Sequence, residues 1–330
     1  MKVINHGQGG GAECLQLEDR PQPSPGPGKV LIQVAYAGIN RPDVLQRMGL
    51  YAPPPDAFPL LGLEVSGRIA ALGAGVDGLR VGELVTALVH GGGYAEYCIA
   101  DAGQVLPVPA GMDLATAAAL PETWFTVWSN MMHHGRLKAG ERLLIHGGAS
   151  GIGMTAIQLA RHLGVECLVT IADDDQAKFC RQFGASATIN FNTQDFAEEI
   201  KTLTKGEGVD VVLDIIGAPY FQRNLGVLRK DGRLVFIGFL GGTKGEFDLL
   251  PILFKRLSVT GSTLRPRTSA EKMVIRDDLL KHIWPALASG ALKTHVFATF
   301  PLAEAVEAHR LMESNRHIGK IVLEVAKDLI

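Results

Sequence analysis

The chain has 330 residues, 47% hydrophobic and 20% charged, with 32 Lys and Arg against 34 Asp and Glu, a formal net charge of −2. That length suggests about two domains of roughly 150 residues, and the near-neutral balance removes any electrostatic reason to expect nucleic acid or an anionic membrane as partner. No run approaches the ~18 apolar residues of a membrane span, and Met1 to Gly7 shows no apolar core with a cleavage site, so the expected location is the cytoplasm.

From Lys29 to about Leu106, short apolar runs alternate with Gly and Pro: Val30–Val34, Val65–Ile69, Glu83–Leu88 and Tyr94–Cys98. Such short strands between turn signals predict a small, irregular β-barrel. Pro21 to Pro27 holds four prolines and reads as an extended connector. After Pro109 the texture changes. Leu143–His146 is a compact strand, and Ile152, Thr155, Ala156, Leu159, Ala160 and Leu163 then recur at helical spacing up to Gly164. Strands follow at Glu166–Thr170, Val209–Asp214 and Arg233–Ile237, with helices at about Gln176–Phe183, Asp195–Leu203 and Tyr220–Leu228. This alternation predicts a parallel sheet with helices on both faces. The tail from Ala270 reads helix, strand, helix, strand and closes with Ile321–Val325. Cys14, Cys98, Cys167 and Cys180 lie far apart with no Cys-x-x-Cys pair and read as buried or free thiols.

The segment from His146 to Gly153 (HGGASGIG) lies between a strand and a helix. A glycine turn there exposes backbone N–H groups, and the helix N-terminus adds about half a positive charge toward a pyrophosphate. Gly148-x-Ser150-x-x-Gly153 departs from G-x-G-x-x-G at its second glycine, and a bare tight turn is the alternative. Asp173, 20 residues beyond Gly153 at the end of the next strand, favours the nucleotide, because an acid there accepts from the adenosine ribose. Asp173-Asp174-Asp175 is either a solvated loop or a charge that repels a 2′-phosphate unless Lys178 or Arg181 compensates. His133-His134 share no helix face and have no third ligand at suitable spacing, so they read as a helix end before Gly135 and no metal site is expected.

These residues, with Gly38–Asp43, Tyr51–Pro55, Pro59–Gly67, Gly91–Tyr97, Leu120–Thr123 and Asn315–Val322, resemble the zinc-free quinone oxidoreductase branch of the medium-chain dehydrogenase/reductases over nearly the whole chain. The resemblance implies an α/β protein: a GroES-like β-barrel catalytic domain from residues 1–120 and 265–330, a Rossmann domain from 121–264, and a cleft holding NAD(P)H. Zinc-dependent relatives have a ligating cysteine where Asn40 stands and a histidine where Leu63 stands, and their four-cysteine lobe is replaced here by Gly91-Gly92-Gly93. Leucine cannot ligate a metal. Without a Lewis acid the acceptor must be electrophilic already, as quinones and enones are, and hydrogen-bond donors suffice. The resemblance places Asn40 and Tyr51 there, with Tyr51 alternatively a packed loop tyrosine. Asp43 is a third catalytic candidate, or a brace for its loop.

For the cofactor, the resemblance puts the pyrophosphate on Gly148, Ser150, Gly151, Ile152 and Gly153. It puts the adenosine ribose at Ala172 and Asp173, adenine near Phe191, and the nicotinamide at Gly238, Phe239 and Leu240 and at Thr263, Leu264 and Arg265. Thr126 is placed near the nicotinamide, or is a helix-face threonine. Lys320 is placed on the ribose or phosphates, or is an exposed lysine. NADPH-using relatives carry a small hydroxylated residue or glycine at Asp173 and a lysine at Gln176, so both substitutions favour NADH being used as well. The expected activity is hydride or one-electron transfer to a quinone or another electrophilic carbonyl compound. A 2-alkenal or enoyl reductase and a catalytically idle nucleotide-binding protein are the alternatives. A homodimer is expected through Leu249–Phe254 and Ser258–Gly261, an apolar stretch suited to an edge-strand interface.

Overall fold

The computed structural model describes residues 1–326. The chain divides into two compact units: Met1–Phe125 with Arg265 onward, and Thr126–Leu264. The first division falls within the helix Pro121–Trp128, where the expectation from sequence is 120/121.

The first unit is built on a seven-stranded sheet in the order Val296–Pro301, Lys320–Glu324, Lys29–Ile39, Glu64–Leu72, Leu84–Leu88, Val105–Pro107, with Tyr97–Asp101 also pairing with Lys29–Ile39. The long strand Lys29–Ile39 is the spine. It pairs antiparallel with three partners in overlapping stretches, including Ile321↔Ile39, which brings the C-terminal segment back onto the N-terminal one. Its inward residues Val30, Ile32, Val34, Ala37 and Ile39 join Val65, Ile69, Val85 and Leu323 in one core. Tyr94–Cys98 is only partly the strand expected. Extended pairing starts at Tyr97, because Tyr94 is pulled into the core and its backbone bonds to Leu61 and Ile4 instead.

The second unit carries a six-stranded all-parallel sheet in the order Ala187–Asn190, Glu166–Ile171, Arg142–Ile145, Val209–Asp214, Leu228–Phe236, Ser258–Gly261. Numbered by position in the chain, this is 3-2-1-4-5-6, the doubly wound order whose switch point lies between Arg142–Ile145 and Val209–Asp214. The strand Ala187–Asn190 is not expected from sequence, because a four-residue run with one large apolar side chain carries little pattern. Helices pack against the sheet at Gly151–His162, Asp174–Phe183, Phe196–Leu203 and Ala218–Val227. Ser258–Gly261 is the sheet's edge, and the helix before it, Leu250–Lys255, has no buried residue and leaves Leu253 72% and Phe254 70% exposed. All four cysteines are free, and no described helix is long and apolar enough to cross a membrane.

Candidate active site

In the second unit the expected cofactor residues collect along one edge of the parallel sheet. His146–Gly153 follows Arg142–Ile145, Ala172–Gln176 follows Glu166–Ile171, and Phe191 follows Ala187–Asn190. Gly238–Leu240 follows Leu228–Phe236, and Thr263 and Leu264 follow Ser258–Gly261. All lie at carboxyl ends of strands, where doubly wound sheets bind ligands. Thr126 stands apart from them in the chain, at the start of this unit, and its carbonyl accepts from the Ser129 hydroxyl and the Asn130 amide.

The glycine turn is packed tightly against itself and the neighbouring strand. A Cβ at Gly153 would lie 2.4 Å from the carbonyl oxygens of Gly147 and Gly148, and one at Gly148 would lie 2.7 Å from Val169 Cβ. Ser150, at the departing second position of the motif, caps the helix: its Oγ accepts from Gly153 N (3.0 Å) and donates to Gly147 O (2.8 Å). The turn therefore keeps its form with serine, and its residues fit a pyrophosphate.

A buried chain of hydrogen bonds, unforeseen from sequence, fixes this edge. Gly147 N donates to Thr170 Oγ1 (3.2 Å), which lies 3.2 Å from His146 Nδ1; His146 Nε2 lies 2.8 Å from Asn224 Oδ1, and Asn224 Nδ2 donates to Asp214 Oδ2 (2.9 Å). The amide assigns the tautomer. With Asn224 Nδ2 donating to a carboxylate, its Oδ1 accepts from His146 Nε2–H, leaving Nδ1 to accept from the Thr170 hydroxyl. The ring must be neutral for this, and burial lowers its pKa to about 4. Asp214 also accepts from Ile216 N and Gly217 N, so the network ties the glycine turn to the turn that carries Gly217.

At the second strand end, Asp173 Oδ1 accepts from Gln176 N and Gln176 Oε1 accepts from Ala172 N, both at 2.9 Å. Asp173 thus caps the Asp174–Phe183 helix, and the Gln176 side chain ties the helix back to the residue before the cap. Lys178 is paired with Asp175 (3.2 Å) and Arg181 donates to Thr188 Oγ1 (2.7 Å), so neither expected compensating cation turns to Asp173. Phe191, Phe239 and Leu240 are all exposed.

In the first unit the catalytic candidates gather round a buried ion pair. Lys320 Nζ donates to Glu64 Oε1 (2.7 Å), Asn40 Oδ1 (2.6 Å) and Ile39 O (3.1 Å), while Asn40 Nδ2 donates to Glu64 Oε1 (2.9 Å). This corrects the expectation for Lys320. The residue is neither exposed nor available to a phosphate, because it is buried and all three of its N–H donors are spent. Asp43 is likewise corrected from a catalytic candidate to a brace. Its oxygens accept from Asn40 N (2.9 Å), Gly62 N (3.0 Å) and Tyr94 Oη (3.1 Å), and it is 1% exposed.

The same donor set decides the fit of a zinc ion, which a zinc-type family implies. Leu63 is buried and offers no ligand, and the Asn40 amide is clamped between the Lys320 ammonium and Glu64, so a cation placed there would face an ammonium. The residues present do not fit zinc, and among the described residues no group of three or more His, Cys, Asp or Glu could hold a metal.

Glu122, read from sequence only as part of a matching segment, proves central. Its backbone N–H donates to Glu64 Oε2 (2.9 Å), and burial, reinforced by the charges of Glu64 and Asp43, pushes its carboxyl up to about 8 against the pull of Lys320 and Lys272. Tyr51, half-buried, has its phenol pushed up by burial first and by Glu122 next, with Arg265 acting against both. Arg265, expected with Thr263 and Leu264 at the nicotinamide, is corrected: it belongs to the first unit, buried, with its outer nitrogens spent on Gln46 Oε1 (2.5 Å) and His90 O (3.3 Å).

Two family models match: an alcohol dehydrogenase GroES-like domain over residues 26–110 and a zinc-binding dehydrogenase domain over 151–276. The chain is 33% identical to 2-haloacrylate reductase of a Burkholderia species, over 98% of each. It is 32% identical to the mycocerosic acid synthase-like polyketide synthase of Mycolicibacterium smegmatis over 96% of this chain, but spans only 15% of that protein's length. Among solved structures, Escherichia coli quinone oxidoreductase complexed with NADPH superposes with a TM-score of 0.88 at 28% identity, over 98% of this chain and all of the other.

Two outcomes test this site. Lys320→Met strands Glu64 as a buried, unpaired charge and should lower unfolding free energy by ~3–5 kcal/mol in denaturant titrations, with much of the loss recovered in Glu64→Gln/Lys320→Met. Glu122 keeps its proton longer when folded than when unfolded, so its contribution to stability falls as pH rises from about 4.5 to about 8 and is level beyond. Glu122→Gln should therefore gain on the parent in melting temperature by more at pH 9 than at pH 5. A gap that does not change with pH would contradict the protonated carboxyl.

Proposed function

The chain belongs to the medium-chain dehydrogenase/reductase superfamily of oxidoreductases, and we propose that it is a zinc-independent NAD(P)H:quinone oxidoreductase. The observation that carries this is the Asn40 amide locked between Lys320 and Glu64 beside Leu63, which leaves hydrogen bonding as the means of stabilising an arriving charge. A substrate reduced that way must itself delocalise the charge, and a quinone does so by becoming aromatic. The Escherichia coli relative, by its name a quinone oxidoreductase, supports the same class.

When bound, the reduced dinucleotide supplies the hydride. Gly148, Ser150, Gly151, Ile152 and Gly153 would hold its pyrophosphate, Ala172 and Asp173 its adenosine ribose, Phe191 its adenine, and Gly238, Phe239, Leu240, Thr263, Leu264 and Thr126 its nicotinamide end. The chain's own part at the acceptor is to offer donors. One amide hydrogen of Asn40 is left after Glu64, and the raised Tyr51 phenol stays an O–H donor through neutral pH. One proton must reach the reduced acceptor for each hydride, and a protonated Glu122 beside Tyr51 is the reserve for it. With Asp173 fixed by Gln176 and both nearby cations engaged elsewhere, a 2′-phosphate meets an uncompensated carboxylate. NADH is therefore used at least comparably to NADPH.

The Burkholderia relative, by its name, reduces an activated alkene, which supports an enoyl or 2-alkenal reductase as the second reading. There Tyr51 would protonate carbon rather than oxygen. Initial rates with metal-stripped protein, NADH and NADPH, an ortho-quinone and a simple enone separate the two. Quinone turnover without metal is expected, at NADH rates no lower than NADPH rates. A large NADPH preference would refute the Asp173 argument, and Tyr51→Phe should lower enone turnover selectively if enones are the substrate. Binding without turnover of either acceptor would point to an idle nucleotide-binding protein.

A homodimer through the edge strand Ser258–Gly261 and the exposed helix Leu250–Lys255 is part of the same proposal, since an open apolar edge is normally covered. Light scattering at micromolar concentration should give twice the chain mass, and Leu253→Asp/Phe254→Asp should give the monomer.

A further inference from the structure

Among the described residues, the first unit contains two buried cations with no carboxylate in contact. Arg265 is 5% exposed and Lys272 3%, and neither has an acidic oxygen within ion-pair distance, although Arg47, Arg233 and Lys320, the other deeply buried cations, each have one. Arg265 spends its outer nitrogens on neutral oxygens of Gln46 and His90, and its Nε is buried without a partner. Lys272 Nζ donates to the backbone carbonyl of Arg265 (2.9 Å), which places the ammonium at the arginine's main chain. Two buried cations in neighbouring positions, neither in contact with a carboxylate and one with an unused N–H, are a costly arrangement that an anion would relieve.

The neighbours say where that anion lies. Arg265 bonds Gln46, and the preceding Leu45 carbonyl accepts from Tyr51 N, so the guanidinium lies by the segment that carries Tyr51. Its charge is felt by Asp43 first and then by Tyr51 and Glu122, and that of Lys272 by Glu122 first and then by Asp101 and Asp56. Asp43 is already engaged by three donors, and Asp56 and Asp101 by His90 and by Lys29 and Ser269. Arg265, with Lys272 at its carbonyl, thus lies toward the tyrosine that the reductase reading gives to the acceptor. Resting on that reading, we propose that Arg265 and Lys272 form an anion-binding corner of the acceptor site, so that this protein selects acceptors bearing a carboxylate over their neutral analogues. Planar carboxylate suits the guanidinium fork, and the ammonium adds a point charge.

Calorimetric titration of the whole protein with benzoate and with benzamide tests this without turnover. Benzoate should bind at least tenfold more tightly than benzamide, and Arg265→Gln and Lys272→Gln should each weaken benzoate about tenfold while NADH affinity holds within twofold. In kinetics, the kcat/KM ratio of a carboxylated naphthoquinone to its methyl ester should fall about tenfold in Lys272→Gln. Equal affinity for benzoate and benzamide in the parent protein would overturn the proposal, whether or not the variants fold. So would variants that lose NADH or inorganic phosphate along with benzoate, because the corner would then serve a cofactor phosphate. Parent protein that binds benzoate selectively but reduces no acceptor would keep the anion site and sink the reductase reading.

Discussion

The buried pair between Lys320 and Glu64 is the constraint on which the first unit depends. Taking both charges out of water costs several kcal/mol per ion, and only good geometry with added hydrogen bonds offsets it. Here the ammonium has three acceptors and the carboxylate answers Lys320, Asn40 and the Glu122 backbone. Because these residues sit on chain segments up to 281 positions apart, the pair fixes the register in which the C-terminal strand closes on Lys29–Ile39. The close approach also explains Gly38: a Cβ there would lie 2.2 Å from Glu64 Oε1.

A second chain of polar contacts runs outward from the same place. Asp43 accepts from Tyr94 Oη, which lies 3.3 Å from His309 Nε2, and His309 Nδ1 lies 3.4 Å from Arg47 Nη1, itself paired with Glu313. The order is consistent only with neutral His309 donating from Nε2, and burial beside Arg47 lowers its pKa to about 3. His309 here and His146 in the second unit thus do the same work. Each is a buried neutral imidazole that passes a hydrogen-bond direction between separate elements, His146 from Thr170 in a strand to Asn224 in a helix and His309 from Arg47 in a helix to Tyr94, by chemistry that neutral pH does not disturb.

Most of the fold was legible because its pattern is local. Alternating apolar runs and glycine punctuation mark the strands of both units, and helical spacing from Ile152 to Leu163 marks the helix after the glycine turn. The glycine turn and Asp173 were legible for the same reason, being a motif and a fixed offset. Lys320, Glu122, Arg265 and Lys272 were not legible in their roles, because each is defined by what lies across the fold. A lysine in a Gly-Lys-Ile run looks the same whether it meets a phosphate or Glu64. Asp43 shows the limit in another way: bracing and catalysis ask for the same residue, and only counting the donors around its two oxygens separates them.

In the proposed metal-independent reductase, the apolar Leu63 and the lock on Asn40 would move the chemical burden from charge stabilisation by a metal to placement of protons. A Lewis acid would accept negative charge without a proton, whereas in the proposed reductase this cluster would hold one ready at Glu122. Three carboxyls, Asp43, Glu64 and Glu122, close enough to act on one another, with Lys320 paired only to Glu64, would achieve that. Lys320 satisfies Glu64 and the donors around Asp43 satisfy it, so Glu122 is left as the acid for which ionisation is most costly. The poor fit to zinc and the raised Glu122 are then two sides of one arrangement, in which the cation paired with Glu64 is also the one that occupies Asn40.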